Sequence, residues 1–248
     1  VGLAPMVDHG LEAGRSVRVS TDERVSTAEY LKLVLNPIVP LMGVSYFCIK
    51  FLRYALDSWL PTFLDLQGMD VGQAAYYSSI FDWAGLAGAV LAGIALDRIF
   101  HGRWDRICLA MGIGMVLAYF VVLEFGTHPI YLALSFGLVG FMLYGPDTLL
   151  GGAGAVAVAG QRNGVAVAGL INGIGSIGPV IQEQVIGRIL EGKTPEAAVW
   201  NTNLLCLGVS IGFVVILLFI NLYSRPHGAP PGSDPSRSAK SDAVEKSP

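Results

Sequence analysis

Apolar residues run through most of this chain in stretches longer than a water-soluble core requires. Ile107 to Leu123, Thr148 to Gly160, Gly164 to Gln182 and Ala197 to Ser224 contain no Asp, Glu, Lys or Arg, and a helix that crosses a bilayer needs only about 20 mostly apolar residues. A soluble domain would divide the same apolar content among amphipathic helices of about 10 to 20 residues and short strands. Six spans with short connections follow from the pattern, at about 38–62, 73–96, 107–124, 129–158, 164–190 and 201–223. Lipid offers the backbone no hydrogen-bond partners, so such spans must be helices, and the expected class is an all-α membrane protein.

The polar ends frame these spans. Residues 1–36 hold one short helix, TAEYLKLVLN, which is opened by the capping-box form of Ser26, Thr27, Ala28 and Glu29 and ended by Asn36 and Pro37. Residues 224–248 are rich in Pro, Ser and charge, the composition of a disordered tail. The bundle itself is expected over 37–223.

Composition agrees: of 248 residues 53% are hydrophobic and only 14% charged, against roughly 25% charged in soluble domains. A net charge of -3 gives no basis for nucleic-acid binding. Cys48, Cys108 and Cys206 all lie in apolar runs, where a thiol behaves as a small hydrophobe. The four histidines are scattered without metal-ligand spacing, so neither a metal nor a cofactor is expected.

Lysine and arginine placement sets an orientation, because positive loops stay cytoplasmic. Twelve of the 16 cations fall on one side: Arg15, Arg18, Arg24 and Lys32 before the first span, Arg98, Arg103 and Arg106 after the second, Arg162 after the fourth, and Arg225, Arg237, Lys240 and Lys246 in the tail. The expected protein is therefore multi-pass in a cell inner or plasma membrane, with both ends cytoplasmic.

The charges left inside the spans are the candidate chemistry. Lys50, Arg53 and Asp57 sit near the middle of the first span, where each charge costs about 2.5 to 3.5 kcal/mol on insertion scales. At about 100° per residue, Arg53 and Asp57 fall about 60° and 20° from Lys50, with Tyr46 and Tyr54 about 40° to either side. One narrow polar stripe results, facing a neighbouring helix or a watery cavity. Its two cations outnumber its one acid, which suits an anion; Arg brings a planar fork for phosphate or carboxylate and Lys a point charge. The alternative is a structural ion pair that locks the first span to the second, where Asp82 is another intramembrane acid.

Ala84, Gly88 and Ala92 in the second span, like Gly85 and Ala89, recur every four residues and permit close helix approach. The fourth span carries Pro146, which favours a kink, and Asp147, a third intramembrane acid. In the Gly-rich fifth span, Asn172 and Ser176 share a face, for contact with substrate or for an interhelical hydrogen bond. Gly173, Gly175 and Gly178 spell GxGxxG, but no strand precedes them and no soluble helix follows. With no nucleophile elbow, metalloprotease or P-loop motif either, no catalytic residue is assigned and the expected protein is not an enzyme.

FLRYALDSWLPTFL in the first span, AYYSSIFDWAGLAGAVLAGIALDRIFHGR in the second and YGPDTLLGG before the Gly-rich fifth together resemble the organophosphate:phosphate antiporter family of the major facilitator superfamily, which includes glycerol-3-phosphate and hexose-phosphate transporters. The resemblance covers about Thr27 to Tyr223 and implies the C-terminal six-helix half of a twelve-helix fold, with residues 1–36 as the cytoplasmic central loop and an N-terminal six-helix half as its partner. It places Arg53 on the family's phosphate-binding arginine, with Tyr54 and Asp57 as its neighbours, and Asp82 where some members have glutamate. Asp97, Arg98 and Arg103, within GxxxDRxxxGR, fall on the loop signature that holds the cytoplasmic side shut. Ala153, Asp147 and Lys50 depart from the family pattern.

The resemblance thus implies a secondary transporter that exchanges an organic phosphate, such as glycerol-3-phosphate or a sugar phosphate, for inorganic phosphate by alternating access. Arg53 is the expected principal ligand, with Lys50, Tyr46, Tyr54 and Asn172 beside it, and with Asp57, Asp82 and Asp147 for charge pairing or coupling. Two alternatives stand beside it: a proton-coupled organic-anion symporter of the same fold, and a non-transporting sugar-phosphate sensor.

Overall fold

A computed structural model describes residues 31, 33–126 and 128–224. The capping box at Ser26 and nearly all of the polar tail lie outside these residues. Among the described residues every regular element is helical: a short helical stretch through 33–35 is followed by seven α-helices and one π-helical turn, α1 Ile38–Leu66, α2 Val71–Arg98, α3 Trp104–Phe125, α4 Pro129–Leu149, the π-turn Leu150–Gly154, α5 Ala155–Gly175, α6 Ile177–Leu190 and α7 Pro195–Ser224.

Each boundary has a local cause. Asn36 and Pro37 interrupt the helix ahead of α1, and the Asn36 side-chain oxygen accepts from the Ile38 N–H at 3.1 Å. α1 extends past the expected end at 62 to Leu66. There the Met69 N–H donates to the Leu64 carbonyl and the Gly68 N–H to that of Asp65, with Gly68 at φ +88°, the left-handed position where a side chain is disfavoured. Asp70 then caps α2 by accepting from the Gly72 N–H at 3.1 Å.

Among the described residues, five stretches are long and apolar enough to cross a membrane, and the fourth, Pro129–Leu190, has 62 residues. Straight, it would measure about 93 Å, about three times the hydrocarbon thickness. It is not straight. Gly160 has φ +74° and ψ 170°, a conformation essentially reserved for glycine, and the chain reverses there. Met42 packs against Gly154 while its neighbour Gly43 packs against Ile174, so positions 154 and 174 lie at one depth on opposite arms of a hairpin. The expected fourth and fifth spans correspond to these arms, so the described residues hold six long helical segments.

Helix packing follows the small residues. A Cβ at Gly88 would run into the Phe141 carbonyl oxygen, and a Cβ at Gly140 into that of Phe81. The four-residue small spacing of α2 therefore serves backbone contact with α4. α1 lies against α5, α6 and α7, and α3 joins α4 to α7. Tyr119, Phe63, Phe81, Phe136 and Phe213 fill the interior. Trp83, Leu86, Val90, Leu117, Phe120, Val215 and Phe219 remain exposed, a distribution suited to an apolar solvent rather than to water.

Candidate functional site

The polar stripe on α1 meets two different neighbours. On the first, Lys50 Nζ donates to Asn172 Oδ1 at 2.6 Å and to Ser176 Oγ at 3.0 Å, while Ser176 Oγ donates to the Asn172 carbonyl at 2.7 Å. Ser176 is the break between α5 and α6. Ser176 keeps right-handed helical dihedrals and its N–H still bonds the Asn172 carbonyl at 2.9 Å, so the lysine docks where α5 passes into α6. Lys50 also stands 5.2 Å from the centre of the Tyr46 ring. The two readings of Asn172 thus converge, since it makes an interhelical hydrogen bond to a candidate substrate residue.

The second neighbour is α4. Arg53 Nη1 meets Asp147 Oδ2 at 2.5 Å, across 94 residues of sequence. Arg53 Nε is 3.6 Å from Asp57 Oδ2, an ion-pair distance too long for a hydrogen bond, and that nitrogen is buried without a hydrogen-bond partner. The guanidinium carbon sits 4.5 Å from the centre of the Tyr144 ring, and the Tyr144 hydroxyl donates to Asp82 Oδ1 at 2.8 Å. One tyrosine therefore shelters the arginine and engages the acid of α2.

This arrangement alters two expectations. Arg53 takes its partner from α4 and not from Asp82 on the second span, because Tyr144 stands between them. The local excess of one positive charge also disappears: with Asp147 drawn in, Lys50 and Arg53 are matched by Asp57 and Asp147, and Asp82 lies beyond Tyr144. An ionised, enclosed carboxylate is tolerable only when paired this closely.

Exposure divides the site. Asp147 is buried at 8%, whereas the Arg53 side chain is 34% exposed. Tyr54, Asp57, Asp82 and Asn172 are exposed, and Lys50 and Tyr46 half-buried. Tyr54 makes no hydrogen bond to another described residue. Tyr144 and Ser176 complete the site; Ser176 was expected beside Asn172, whereas Tyr144 was not singled out from sequence. Their signal was spacing, since Tyr144 is three residues before Asp147 and Ser176 four after Asn172.

The three residues of the loop signature are not drawn together. Arg103 pairs with Asp105 at 3.0 Å, and Asp105 accepts from Asn221 Nδ2 at 2.8 Å, which ties α3 to α7. Asp97 and Arg98 are exposed at the end of α2 and make no ion pair or hydrogen bond among the described residues. His, Cys, Asp and Glu side chains form no metal-holding cluster among the described residues.

The chain is 27% identical over 160 residues to the membrane sensor protein UhpC of Salmonella typhimurium, covering 62% of this chain and 36% of the sensor. It is 25% identical over 154 residues to the glycerol-3-phosphate transporter of Bacillus subtilis, covering 60% of this chain and 35% of the transporter. It is 29% identical over 100 residues to the 4-hydroxybenzoate transporter PcaK of Pseudomonas aeruginosa, covering 39% and 22%. The match thus spans about a third of the length of the first two relatives. The sequence model of the Major Facilitator Superfamily matches residues 8–182, more than half of the chain. With its multi-pass helical architecture, the chain belongs to the major facilitator superfamily.

Proposed function

We propose that this chain supplies six helices of a secondary transporter that exchanges an organic phosphate, of the glycerol-3-phosphate or sugar-phosphate class, for inorganic phosphate. The observation that carries the reading is Arg53, a partly exposed side chain in the middle of a membrane-crossing helix, stacked on Tyr144 and sharing its face with the accessible Tyr54 and Asp57. Arg53 is the principal phosphate ligand. Lys50, oriented by Asn172 and Ser176, supplies a second cation one turn away, and Tyr46 and Tyr54 line the same face. Asp57, Asp82 and Asp147 balance charge, while Asp97, Arg98 and Arg103 close the cytoplasmic side. Both ends of the chain face the cytoplasm, and a second six-helix half completes the cavity, the two rocking about a midplane site.

In liposomes carrying the complete transporter and preloaded with labelled phosphate, external phosphate alone releases the label without a pH gradient. Release that needs a pH gradient would overturn exchange. It would support the second reading, a proton-coupled organic-anion symporter, which the Arg53–Asp147 pair favours because a displaced, enclosed carboxylate is a ready proton acceptor. Liposomes holding residues 1–248 alone take up no phosphate saturably, since one wall of the site then opens to lipid; saturable uptake would contradict the need for a second half.

A further inference from the structure

The guanidinium on which the anion reading rests is already occupied by a carboxylate of the same chain. Asp147 Oδ2 sits 2.5 Å from Arg53 Nη1, while Asp57 flanks Nε at 3.6 Å. Asp147 thus bonds one end of the fork and Asp57 stands at ion-pair distance from Nε without a hydrogen bond, while Nη2 has no partner among the described residues. We propose that Asp147 is an internal counter-anion that holds the place of the substrate's anion on Arg53, so that binding displaces it and Asp147 sets the affinity and anion selectivity of the site. The proposal deepens the function above and depends on Arg53 being the anion ligand.

Three observations support a displaceable partner over a permanent structural pair. The two side chains are reached from different sides: Arg53 is 34% exposed, so an incoming anion can reach the cation, whereas Asp147 is 10% exposed and lies behind it. Asp147 is also incompletely satisfied, because Oδ1 is enclosed without a hydrogen-bond partner. The free oxygen leaves Asp147 able to take up a proton, so that it can release Arg53 without remaining an unpaired buried charge. The guanidinium, finally, does not depend on Asp147 for its position. Tyr144 covers one face at 4.5 Å and is itself fixed by its hydroxyl on Asp82, so the fork stays in place when the acid lets go.

Charge gives the consequence. Lys50, Arg53, Asp57 and Asp147 sum to zero, and an anion entering this cluster gains little net attraction while both acids remain ionised against Arg53. Removing the charge of Asp147 leaves one positive charge over and frees a donor of the fork, so anions should bind more tightly.

The test is binding of inorganic phosphate to the complete transporter, purified in detergent and titrated by calorimetry at one pH, for wild type, Asp147→Asn, Asp147→Leu, Asp147→Glu and Arg53→Gln. Asp147→Asn binds phosphate at least about tenfold more tightly, Asp147→Leu shifts in the same direction, Asp147→Glu stays near wild type and Arg53→Gln loses binding. A tighter ligand is a change that mere structural damage does not produce, and the leucine variant serves if the asparagine variant fails to fold. If Arg53→Gln abolishes binding while both uncharged variants bind as wild type or more weakly, displacement is overturned and Arg53 remains the ligand. If Arg53→Gln binds phosphate as well as wild type, the anion reading of Arg53 fails and this proposal with it.

Discussion

At the scale of single residues, Arg53 is held by two side chains of α4, with Asp147 on its terminal nitrogen and Tyr144 against its face. Tyr46, Lys50, Arg53, Tyr54 and Asp57 fall on one stripe by helical periodicity alone, because that rule concerns one element. Which acid meets Arg53 depends on how α4 lies against α1, and no local rule reports it. Asp147, on the fourth span, takes the arginine, while Asp82 is drawn to Tyr144. Tyr144 does two jobs that substitution can separate. Tyr144→Phe keeps the ring beneath Arg53 and should change phosphate affinity by less than about threefold. Tyr144→Ala removes a cation–π contact of about 0.5 to 2 kcal/mol and weakens binding by up to about thirtyfold. Calorimetric titration with phosphate distinguishes them, and equal losses in both variants would move the role from ring to hydroxyl.

At the scale of elements, the small residues of α2 were legible as a packing surface because their spacing is helical. Their partner was not, since every neighbouring span is equally apolar. The structure gives α4, with Gly88 against Phe141 and Gly140 against Phe81. Gly88→Val forces these backbones apart and should cost at least about 1 to 3 kcal/mol, read as a lower melting temperature in detergent; an unchanged melting temperature would remove the close contact. The hairpin between α4 and α6 was legible as two spans because Arg162 falls between two apolar runs. Its turning residue was not, since the sequence offers many glycines. Gly160 has room around it but positive φ, so Gly160→Ala should cost about 1 to 3 kcal/mol through backbone strain alone. Gly152, without that conformation and equally open, should accept alanine with little loss. The same melting experiment reads both, and a Gly160 variant as stable as the Gly152 variant would contradict the turn.

At the scale of the whole molecule, fold class was the most legible feature, because charge-free stretches of membrane length allow few alternatives. The net charge of the site was the least legible. Counting charges on α1 alone gave an excess of one cation, whereas three-dimensional pairing brings in Asp147 and leaves the cluster balanced. The polar cluster lies on a partly exposed face of the six-helix unit, with Tyr54, Asp57, Asp82 and Asn172 all accessible, and that face is where a second half would meet it. The account stands on Arg53 acting as the ligand for an anionic substrate through its planar fork. The most direct measurement is exchange of labelled phosphate by the complete transporter in liposomes, compared between wild type and Arg53→Lys. Lysine keeps the positive charge but supplies no planar pair of donors, so the account predicts at least a tenfold loss of exchange, corresponding to about 1.4 kcal/mol. Exchange at the wild-type rate and affinity would show that Arg53 does not hold the substrate.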